Sequence, residues 1–530
     1  MGRFSRASTA TPQAELRRAE PTARPAEPAR AGGPTWTRAG RLTRTPAWGP
    51  LGLILAVATA VRVWHLNSVG FNSDEAVYTG QAASIAGHPE LEQFFPIFRA
   101  HPLLFQALLS LGFRLHLGEG FERLAAAVVG VATVWLVYEL GRLLYGRRTG
   151  LLAALLMALM PYHVVVTRQV LLDGPMTLLT TLTFLLVARF ALSGRRTWLY
   201  AAGATMGLTF LAKETSILLL GAIYAFFALT PEIRVRLRDL AASLGVTALV
   251  VAAFPLSMAL AGRANTGESY LAWQLFRRPN HDWLFYPATV PDAIGPLVVI
   301  AAALGLWLLR RQASWRETLL LSWIALPVVF FELWPVKGFQ YLLPIAPPVA
   351  LLAGRALSRC PRDRAVRALA AATIAASLLV PTLGRIGAAT GRTFLAGSGG
   401  LPSGREAGHW IAQEVPPGSA VMTIGPSMAN LVQYYGHRKA YGLSVSPNPL
   451  NRNPSYEPLP NPDRAIRDNE LQYAVWDSFS AERSPNFSER LRQYVRRYNG
   501  RVVHTELLAA KTTAGGDVHK PAIVVYEVHR

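Results

Sequence analysis

The chain has 530 residues, of which 51% are hydrophobic and 16% are charged, and its mean hydropathy is +0.24. Soluble domains carry roughly 25% charged residues, so this composition excludes an ordinary soluble enzyme and also a disordered chain. Lys and Arg outnumber Asp and Glu by 53 to 32, as in proteins that bind nucleic acids or membranes. The single cysteine, Cys360, excludes a disulfide framework and a zinc site with several cysteines. Because the hydrophobic residues occur in long blocks, we predict a polytopic α-helical membrane protein.

The chain begins with a polar tail and continues into a series of apolar segments. Residues 1–47 are rich in Ala, Pro and Arg, so we predict a disordered basic tail in the cytoplasm. Residues 48–384 are predicted to form a transmembrane domain, since a spanning helix needs about 20 mostly apolar residues. Eleven segments meet or approach this length, namely 48–66, 121–144, 149–166, 174–192, 197–211, 215–230, 240–261, 293–309, 317–333, 339–356 and 367–384.

The connections between these segments indicate on which face of the membrane each one lies. Cytoplasmic loops are enriched in Lys and Arg, and alternate connections are basic, from Arg142 after the second segment to RALSRCPRDRAVR after the tenth. This pattern places Cys360 in the cytoplasm and the C-terminal region outside it. Much of the excess positive charge then lies against one face of the bilayer, so we expect a lipid bilayer as partner and no nucleic acid.

The C-terminal region, 385–530, has a different pattern. It alternates stretches typical of strands, such as SAVMTIG, with stretches typical of helices, such as SERLRQYVRRYN. We therefore predict a small extracytoplasmic α/β domain. The Pro- and Asn-rich stretch 446–463 is expected to form an ordered loop or a mobile lid.

Polar residues collect in the connections predicted to face outward, where ionisable groups near the membrane are costly and often functional. The first outer loop, 67–120, contains Asp74, Glu75 and His101. Four other outer connections contribute Arg168, Asp173, Lys213, Arg277, Arg278, His281, Lys337 and Tyr341. Together these residues predict a polar cavity that opens outward.

Each of these residues also has a structural interpretation. The acidic pair of the first outer loop could cap a helix, and His101 could be structural. Arg168 could simply pair with Asp173. Lys213 could extend to the membrane interface, as a lone lysine at the end of a span commonly does.

Five sequence elements occur in a specific order around the predicted cavity. FNSDEAVY follows the first segment, AHPLLF lies later in the same loop, TRQVLLDGPM follows the third segment, FLAKETS follows the fifth, and KGFQYLLPIAPP begins the tenth. In this order the chain resembles the GT-C membrane glycosyltransferases, specifically the dolichyl-phosphate-mannose–protein mannosyltransferase-like branch, which also contains the bacterial lipid A aminoarabinose transferase. The resemblance covers residues 50–384 and, more loosely, the C-terminal domain.

The resemblance implies a GT-C fold and a polyprenyl-phosphate-linked sugar as donor, used at the outer face of the cell membrane. It implies that Asp74 acts at the acceptor and that Asp173 is a second acid of the site. It further implies that Lys213 and either Arg277 or Arg278 meet the donor phosphate.

Three positions depart from the pattern of the family. Leu103 replaces the second proline of the HPPL element, and Gln340 replaces an arginine before the tyrosine of the late motif. Ala100 stands where the aminoarabinose transferase has a metal-ligating glutamate. We therefore expect no cofactor, and a divalent metal is disfavoured, although His101 and His281 could contribute to binding one.

The residues themselves support a compatible reaction. When a donor phosphodiester loses its sugar, the lipid phosphate leaves as a stable anion, so transfer needs one base and cations for the phosphate, unlike the two carboxylates of glycosidases. Asp74 as base would act in an in-line attack with inversion, and Lys213 with an arginine would stabilise the phosphate charge. The candidate catalytic residues are Asp74, Glu75 and Asp173, the candidate phosphate ligands are Arg168, Lys213, Arg277 and Arg278, and the other cavity residues are His101, His281, Lys337 and Tyr341.

Two functions of other classes stay open at this point. A secondary transporter also uses charged residues near its spans, but its broken helices would place them near the midplane of the membrane and not in loops on one face. A non-enzymatic scaffold or receptor would bind a partner through the α/β domain. Within the enzyme class, the sequence leaves open which sugar is moved and whether the acceptor is a protein, a lipid or a glycan.

Overall fold

The computed structural model of the protein describes residues 48–99, 101–359, 363–386, 401–511 and 517–529. The predictions for the tail 1–47, for Ala100, for Cys360 and for the link 387–400 concern residues outside these ranges.

The first part of the described chain is a body of α-helices. In chain order they are α1 Trp48–Val63, α2 Ser73–Ala86, α3 Pro89–Glu92, α4 Leu104–Arg114, α5 Phe121–Tyr145, α6 Arg147–Leu159, α7 Pro161–Val166, α8 Asp173–Ser193, α9 Arg196–Ala212, α10 Leu218–Leu229, α11 Leu237–Val251, α12 Ala253–Leu260, α13 Ala264–Leu275, α14 Phe285–Ile294, α15 Pro296–Leu308, α16 Trp315–Leu333, α17 Ala346–Arg359 and α18 Arg364–Ile386. Short 3₁₀ helices at Glu214–Ile217, Arg310–Gln312 and Phe339–Ile345 connect some of them. The first outer loop thus contains three helices, α2 to α4, which the sequence analysis did not predict.

Each of the eleven predicted segments falls on one or two of these helices. Within the described residues, the stretches long and apolar enough to cross a membrane are Phe121–Tyr145, Asp173–Ser193, Leu237–Leu260, Phe339–Arg359 and Arg364–Ile386. Helices α14 and α15 add a sixth if they count as one span, although they are bent by 94° around Gly295. Pro161 similarly divides the third segment, because proline fits the first turn of a helix and not its interior. The helical membrane body is confirmed, while the count of eleven spans and their orientation stay predictions.

Helix α9 is held firmly between its neighbours, and this positions the residues at its end. It packs against α8 and α11. A Cβ atom added at Gly203 would lie 2.4 Å from the backbone oxygen of Ser243 on α11, so only glycine permits this close approach. Thr247 on α11 donates a hydrogen bond to the carbonyl of Gly203 at 2.9 Å. The chain leaves α9 at Lys213, whose backbone is thereby fixed relative to α8.

The C-terminal domain combines helices with one mixed sheet. Its elements are α19 Gly404–Glu414, β1 Ala420–Thr423, α20 Pro426–Gly436, β2 Lys439–Gly442, α21 Pro462–Arg467, β3 Tyr473–Asp477, α22 Ser478–Arg483, α23 Pro485–Arg497, β4 Arg501–Lys511 and β5 Asp517–Glu527. The strand order is β2-β1-β3-β5-β4, with β1 parallel to β2 and β3, and β5 antiparallel to β3 and β4. The predicted α/β domain is confirmed, although the short strand β2 and helices α21 and α22 were not predicted.

The C-terminal domain contacts the first outer loop where α2 begins. The backbone N–H of Phe71 donates to the hydroxyl of Tyr435 at 2.9 Å, and its ring packs against Tyr434 and Tyr435. Asn430 on α20 donates to the hydroxyl of Ser73 at 2.8 Å. The residue that follows Ser73 is Asp74, so this domain supports the backbone next to the candidate base.

Candidate active site

Helix α2 begins with a capping box that fixes its first turn. The side chain of Asn72 accepts a hydrogen bond from the backbone of Glu75, and the Glu75 carboxylate accepts one from the backbone of Asn72. Arg123 donates two further hydrogen bonds to the same carboxylate at 2.7 and 2.8 Å, and Val170 N–H donates another at 3.0 Å. Glu75 is fully buried. Its carboxylate therefore serves the fold, and the structure does not bring this candidate catalytic residue into the cavity.

Asp74, one residue earlier, has the opposite environment. The residue is partly exposed, and within the described part of the chain no hydrogen bond stabilises its charge. The surrounding protein removes much of the water around it and so raises the pKa of Asp74, while His101 and Lys213 act in the opposite direction. These influences show that the His101 ring and the Lys213 ammonium group both lie near the carboxylate. Asp74 thus combines an accessible carboxylate with an elevated affinity for a proton.

Lys213 and Asp173 form a buried ion pair beside this carboxylate. The Lys213 Nζ atom lies 2.7 Å from Oδ1 of Asp173, and the two side chains are 7% and 3% exposed. The ammonium group also lies 4.8 Å from the centre of the Tyr341 ring, within the range of a cation–π contact. An ammonium group has three N–H donors, so the ion pair does not exhaust its capacity to bind an anion.

His101 joins this cluster through Glu214, the residue after Lys213. Its Nδ1 atom lies 3.0 Å from both carboxylate oxygens of Glu214. Its Nε2 atom lies 3.4 Å from the hydroxyl of Tyr270 on α13. Arg277, which follows α13, stacks over the ring of Trp273 at 4.5 Å and interacts electrostatically with Tyr341. The structure thus brings Arg277 to the same cluster as Lys213.

Four of the remaining predicted residues lie outside this cluster. Arg168 donates to the carbonyls of Val61 and Arg62 and so caps the end of α1. The alternative in which it pairs with Asp173 is wrong, because Asp173 pairs with Lys213, and its role at the phosphate stays a prediction. Arg278 is exposed at a groove beside Arg277, His281 is exposed and stacks on Phe285, and Lys337 pairs with Glu332.

The described residues contain no group of three or more His, Cys, Asp or Glu side chains arranged to hold a metal ion. The pair of His101 and Glu214 supplies two such side chains, but both already contact each other. The expectation that the reaction needs no divalent metal stays a prediction.

Part of the chain matches the model of a known protein family. The family model of dolichyl-phosphate-mannose-protein mannosyltransferases matches residues 100–258. The undecaprenyl phosphate-alpha-4-amino-4-deoxy-L-arabinose arabinosyl transferase of Pectobacterium carotovorum is 27% identical over 293 residues, which cover 49% of this chain and 52% of that protein. The corresponding protein of Yersinia enterocolitica is 25% identical over 258 residues, 46% of each chain. The chain thus spans about half the length of these relatives.

Solved structures extend the match to nearly the whole chain. ArnT from Cupriavidus metallidurans, bound to undecaprenyl phosphate, has a TM-score of 0.64 at 17% identity and covers 91% of this chain and 98% of its own. An Archaeoglobus fulgidus oligosaccharyltransferase has a TM-score of 0.56 at 15% identity over 89% and 72% of the two chains. The chain has the GT-C glycosyltransferase fold. The predicted resemblance is confirmed by the family model, the relatives and the fold.

Sequence analysis did not select every residue of this candidate site. Glu214 was noted in FLAKETS but was given no role, and Tyr270 lay unremarked in the loop 262–292. The adjacency of Glu214 to Lys213 was the available signal for the first. Tyr270 could not be found without the fold, because its partner His101 is 169 residues away in the sequence.

Proposed function

We propose that this protein transfers a sugar from a polyprenyl-phosphate-linked donor to an acceptor hydroxyl at the extracytoplasmic face of the cell membrane. The observation that carries the proposal is the accessible carboxylate of Asp74 beside the buried pair of Lys213 and Asp173. The fold shared with ArnT, whose solved structure holds undecaprenyl phosphate, supports a donor of this class.

In the proposed reaction the acceptor oxygen attacks the anomeric carbon as the bond to the phosphate oxygen breaks. The proton of the acceptor hydroxyl passes to Asp74, and the polyprenyl phosphate leaves with the electron pair of the broken bond. Because the raised pKa of Asp74 increases its proton affinity, the carboxylate is a better base than a fully hydrated one. Attack opposite to the leaving group inverts the anomeric carbon.

The cations of the site would stabilise the leaving phosphate. Charge grows on its bridging oxygen as the bond breaks, and preorganised cations lower the energy of that state. Lys213 is held in place by Asp173 and Tyr341, so it is oriented before the donor arrives. Arg277 would supply a second cation from the outer side. We assign Asp173 the positioning of Lys213 in place of a direct catalytic part.

A donor with a long isoprenoid chain explains why the site belongs to a membrane protein. Its lipid tail would lie in the bilayer against the helical body while its phosphate reaches Lys213 at the end of α9. We infer from the basic connections that this end of the body faces outward, together with the C-terminal domain.

Purified protein incubated with a panel of polyprenyl-phosphate sugars and candidate acceptors tests this function. We expect release of free polyprenyl phosphate with one class of sugar, and we expect the release to depend on Asp74. An Asp74→Asn variant is the control, since it keeps the size and hydrogen-bonding shape of the side chain and removes the base. Transfer from a nucleotide sugar, or none from any lipid-linked sugar in the presence of protein, lipid and glycan acceptors, would contradict the proposal.

A further inference from the structure

A continuous series of hydrogen bonds connects the end of α9 with Arg277. His101 Nδ1 contacts Glu214 at 3.0 Å, and His101 Nε2 lies 3.4 Å from the Tyr270 hydroxyl. Gln274 Nε2 donates to the same hydroxyl at 2.6 Å. Arg277 Nη1 then donates to Gln274 Oε1 at 3.1 Å. The four contacts span three separate parts of the chain, namely the first outer loop, the end of α9 and helix α13.

The donors and acceptors along this series are mutually consistent. With the proton on Nδ1, His101 donates to the Glu214 carboxylate and its Nε2 atom can accept from Tyr270. Burial raises the pKa of Tyr270 well above its usual value, so its hydroxyl keeps the proton that it donates. The oxygen of Tyr270 then accepts from Gln274, whose own oxygen accepts from Arg277. Each donor in the series therefore faces an acceptor, and no two donors or two acceptors face each other.

Tyr270 is also the point at which α13 is attached to the helical body. Among the α13 side chains that the structure describes, Tyr270 alone is buried, at 5% exposure. Its ring packs edge-on against the His101 ring, with 5.3 Å between the centroids. Leu275 and Phe276, at the other end of the helix, are exposed. Of the described α13 side chains, Tyr270 is therefore the one expected to contribute most to holding the helix in place.

We propose that Glu214, His101 and Tyr270 form a latch that positions Arg277 over the donor phosphate. The inference rests on the proposed function, because Arg277 needs a phosphate to act on. In this arrangement His101 is a positioning residue and neither the base nor a metal ligand. The contact of 3.4 Å between His101 and Tyr270 is longer than an ideal hydrogen bond, as is common for such contacts before substrate binds, and it is the place where the latch tightens.

The kinetic test uses a double-mutant cycle, which isolates coupling between two residues. Tyr270→Phe keeps the ring and removes the hydroxyl. A neutral hydrogen bond contributes about 0.5–1.5 kcal/mol, so we expect KM for the donor to rise roughly two- to tenfold while kcat changes less than about twofold. Because Tyr270 acts through Arg277, the double variant with Arg277→Gln should be no worse than Arg277→Gln alone. Multiplying effects would overturn the latch.

Control variants make the double-mutant cycle more specific. Tyr286→Phe removes a hydroxyl that bonds to Gly338 and lies outside the series, so its effect should multiply with that of Arg277→Gln. Glu214→Gln keeps an oxygen that can accept from His101 and should resemble the wild type. Glu214→Ala should behave like Tyr270→Phe. An equal rise of the donor KM in both Glu214 variants would show that the charge of Glu214 acts on the donor, and not its hydrogen bond with His101, and would contradict the latch.

A second measurement needs no activity and so separates the latch from the proposed function. Hydrogen exchange of the full-length protein in detergent or nanodiscs, without donor, should be slow in α13 of the wild type. It should accelerate across 264–277 in both Tyr270→Phe and Glu214→Ala and stay unchanged in Tyr286→Phe. Unchanged exchange in the first two variants would refute the latch. Accelerated exchange together with no effect of Arg277→Gln on the KM of the donor would instead refute the proposed part of Arg277 in binding phosphate.

Discussion

The buried pair of Lys213 and Asp173 offers a sharp test of phosphate binding, provided that stability is separated from catalysis. Removing one partner of a buried ion pair costs about 3–5 kcal/mol, which is a large part of the 5–15 kcal/mol that stabilises typical domains. Lys213→Ala alone would therefore lose activity for either reason. The double variant Lys213→Gln with Asp173→Asn removes both charges and leaves two amides at the 2.7 Å contact, so neither charge is left buried and unpaired.

The magnitude follows from the missing charge. A hydrogen bond to a charged group contributes about 1.5–3 kcal/mol, and about 1.4 kcal/mol corresponds to a tenfold change in rate. We therefore expect kcat/KM of the double variant to fall about ten- to a hundredfold or slightly more. Lys213→Arg keeps the charge with a different geometry and should recover part of the activity. Steady-state release of polyprenyl phosphate measures all three proteins, and thermal unfolding checks that each is folded.

A second buried pair in the same helical body provides the control. Arg355 and Glu317 lie 3.0 Å apart, are 8% and 4% exposed, and take no part in the proposed site. Replacing both by glutamine removes a comparable pair and should leave kcat/KM within about twofold of the wild type. If the Lys213 and Asp173 double variant is as active as this control, the phosphate-binding assignment is wrong.

Four other predictions concern the base, its neighbour, metal dependence and topology. Asp74→Asn should lower kcat about 10²–10⁴-fold with donor binding retained. The wild type should lose activity as the pH falls through the raised pKa of Asp74, and the variant should not show this loss. Near-normal turnover of the variant would assign the role of base to another residue. Glu75→Gln should mainly lower the unfolding temperature, since it weakens the buried pair with Arg123, and a kcat loss equal to that of Asp74→Asn would contradict this. EDTA should lower activity no more than a few-fold, in contrast to a complete loss that one divalent ion restores. In intact cells an impermeant thiol reagent should spare Cys360 and modify an Asn486→Cys variant, and the reverse pattern would invert the topology.

The helices of the body could be predicted from the sequence because apolar composition alone determines where they occur. The positions at which these helices are interrupted or bent were harder to predict from the sequence. Pro161 signals the start of α7 by known stereochemistry, but the 94° bend around Gly295 depends on how α14 and α15 pack. The three helices of the first outer loop were missed because their apolar stretches are short, and the 14 residues of α2 in particular are only weakly amphipathic.

The sequence indicated several residues of the candidate site but not which of them contact each other. Lys213 and Asp173 form an ion pair, and Asp74 lies near both of them, while their roles in a reaction stay predictions. Glu75 was included among the candidate catalytic residues beside Asp74, whereas its partner Arg123 lies 48 residues further along the chain. The alternative pairing of Arg168 with Asp173 is absent for the same reason, since closeness in sequence does not determine which groups a fold brings together. Partners that are distant in sequence leave no local pattern.

The hydrogen bond from Asn430 to Ser73 has a consequence for how such proteins can change. It joins a domain that differs in composition from the membrane body to the residue before the proposed base. A C-terminal domain taken from a relative would contact α2 through different side chains. A chimera would therefore have to reproduce this hydrogen bond and the one between Phe71 and Tyr435 before Asp74 regained its position. The two parts of the chain are consequently expected to be inherited as one unit, and the membrane body expressed without residues 401–529 would be a poor minimal enzyme.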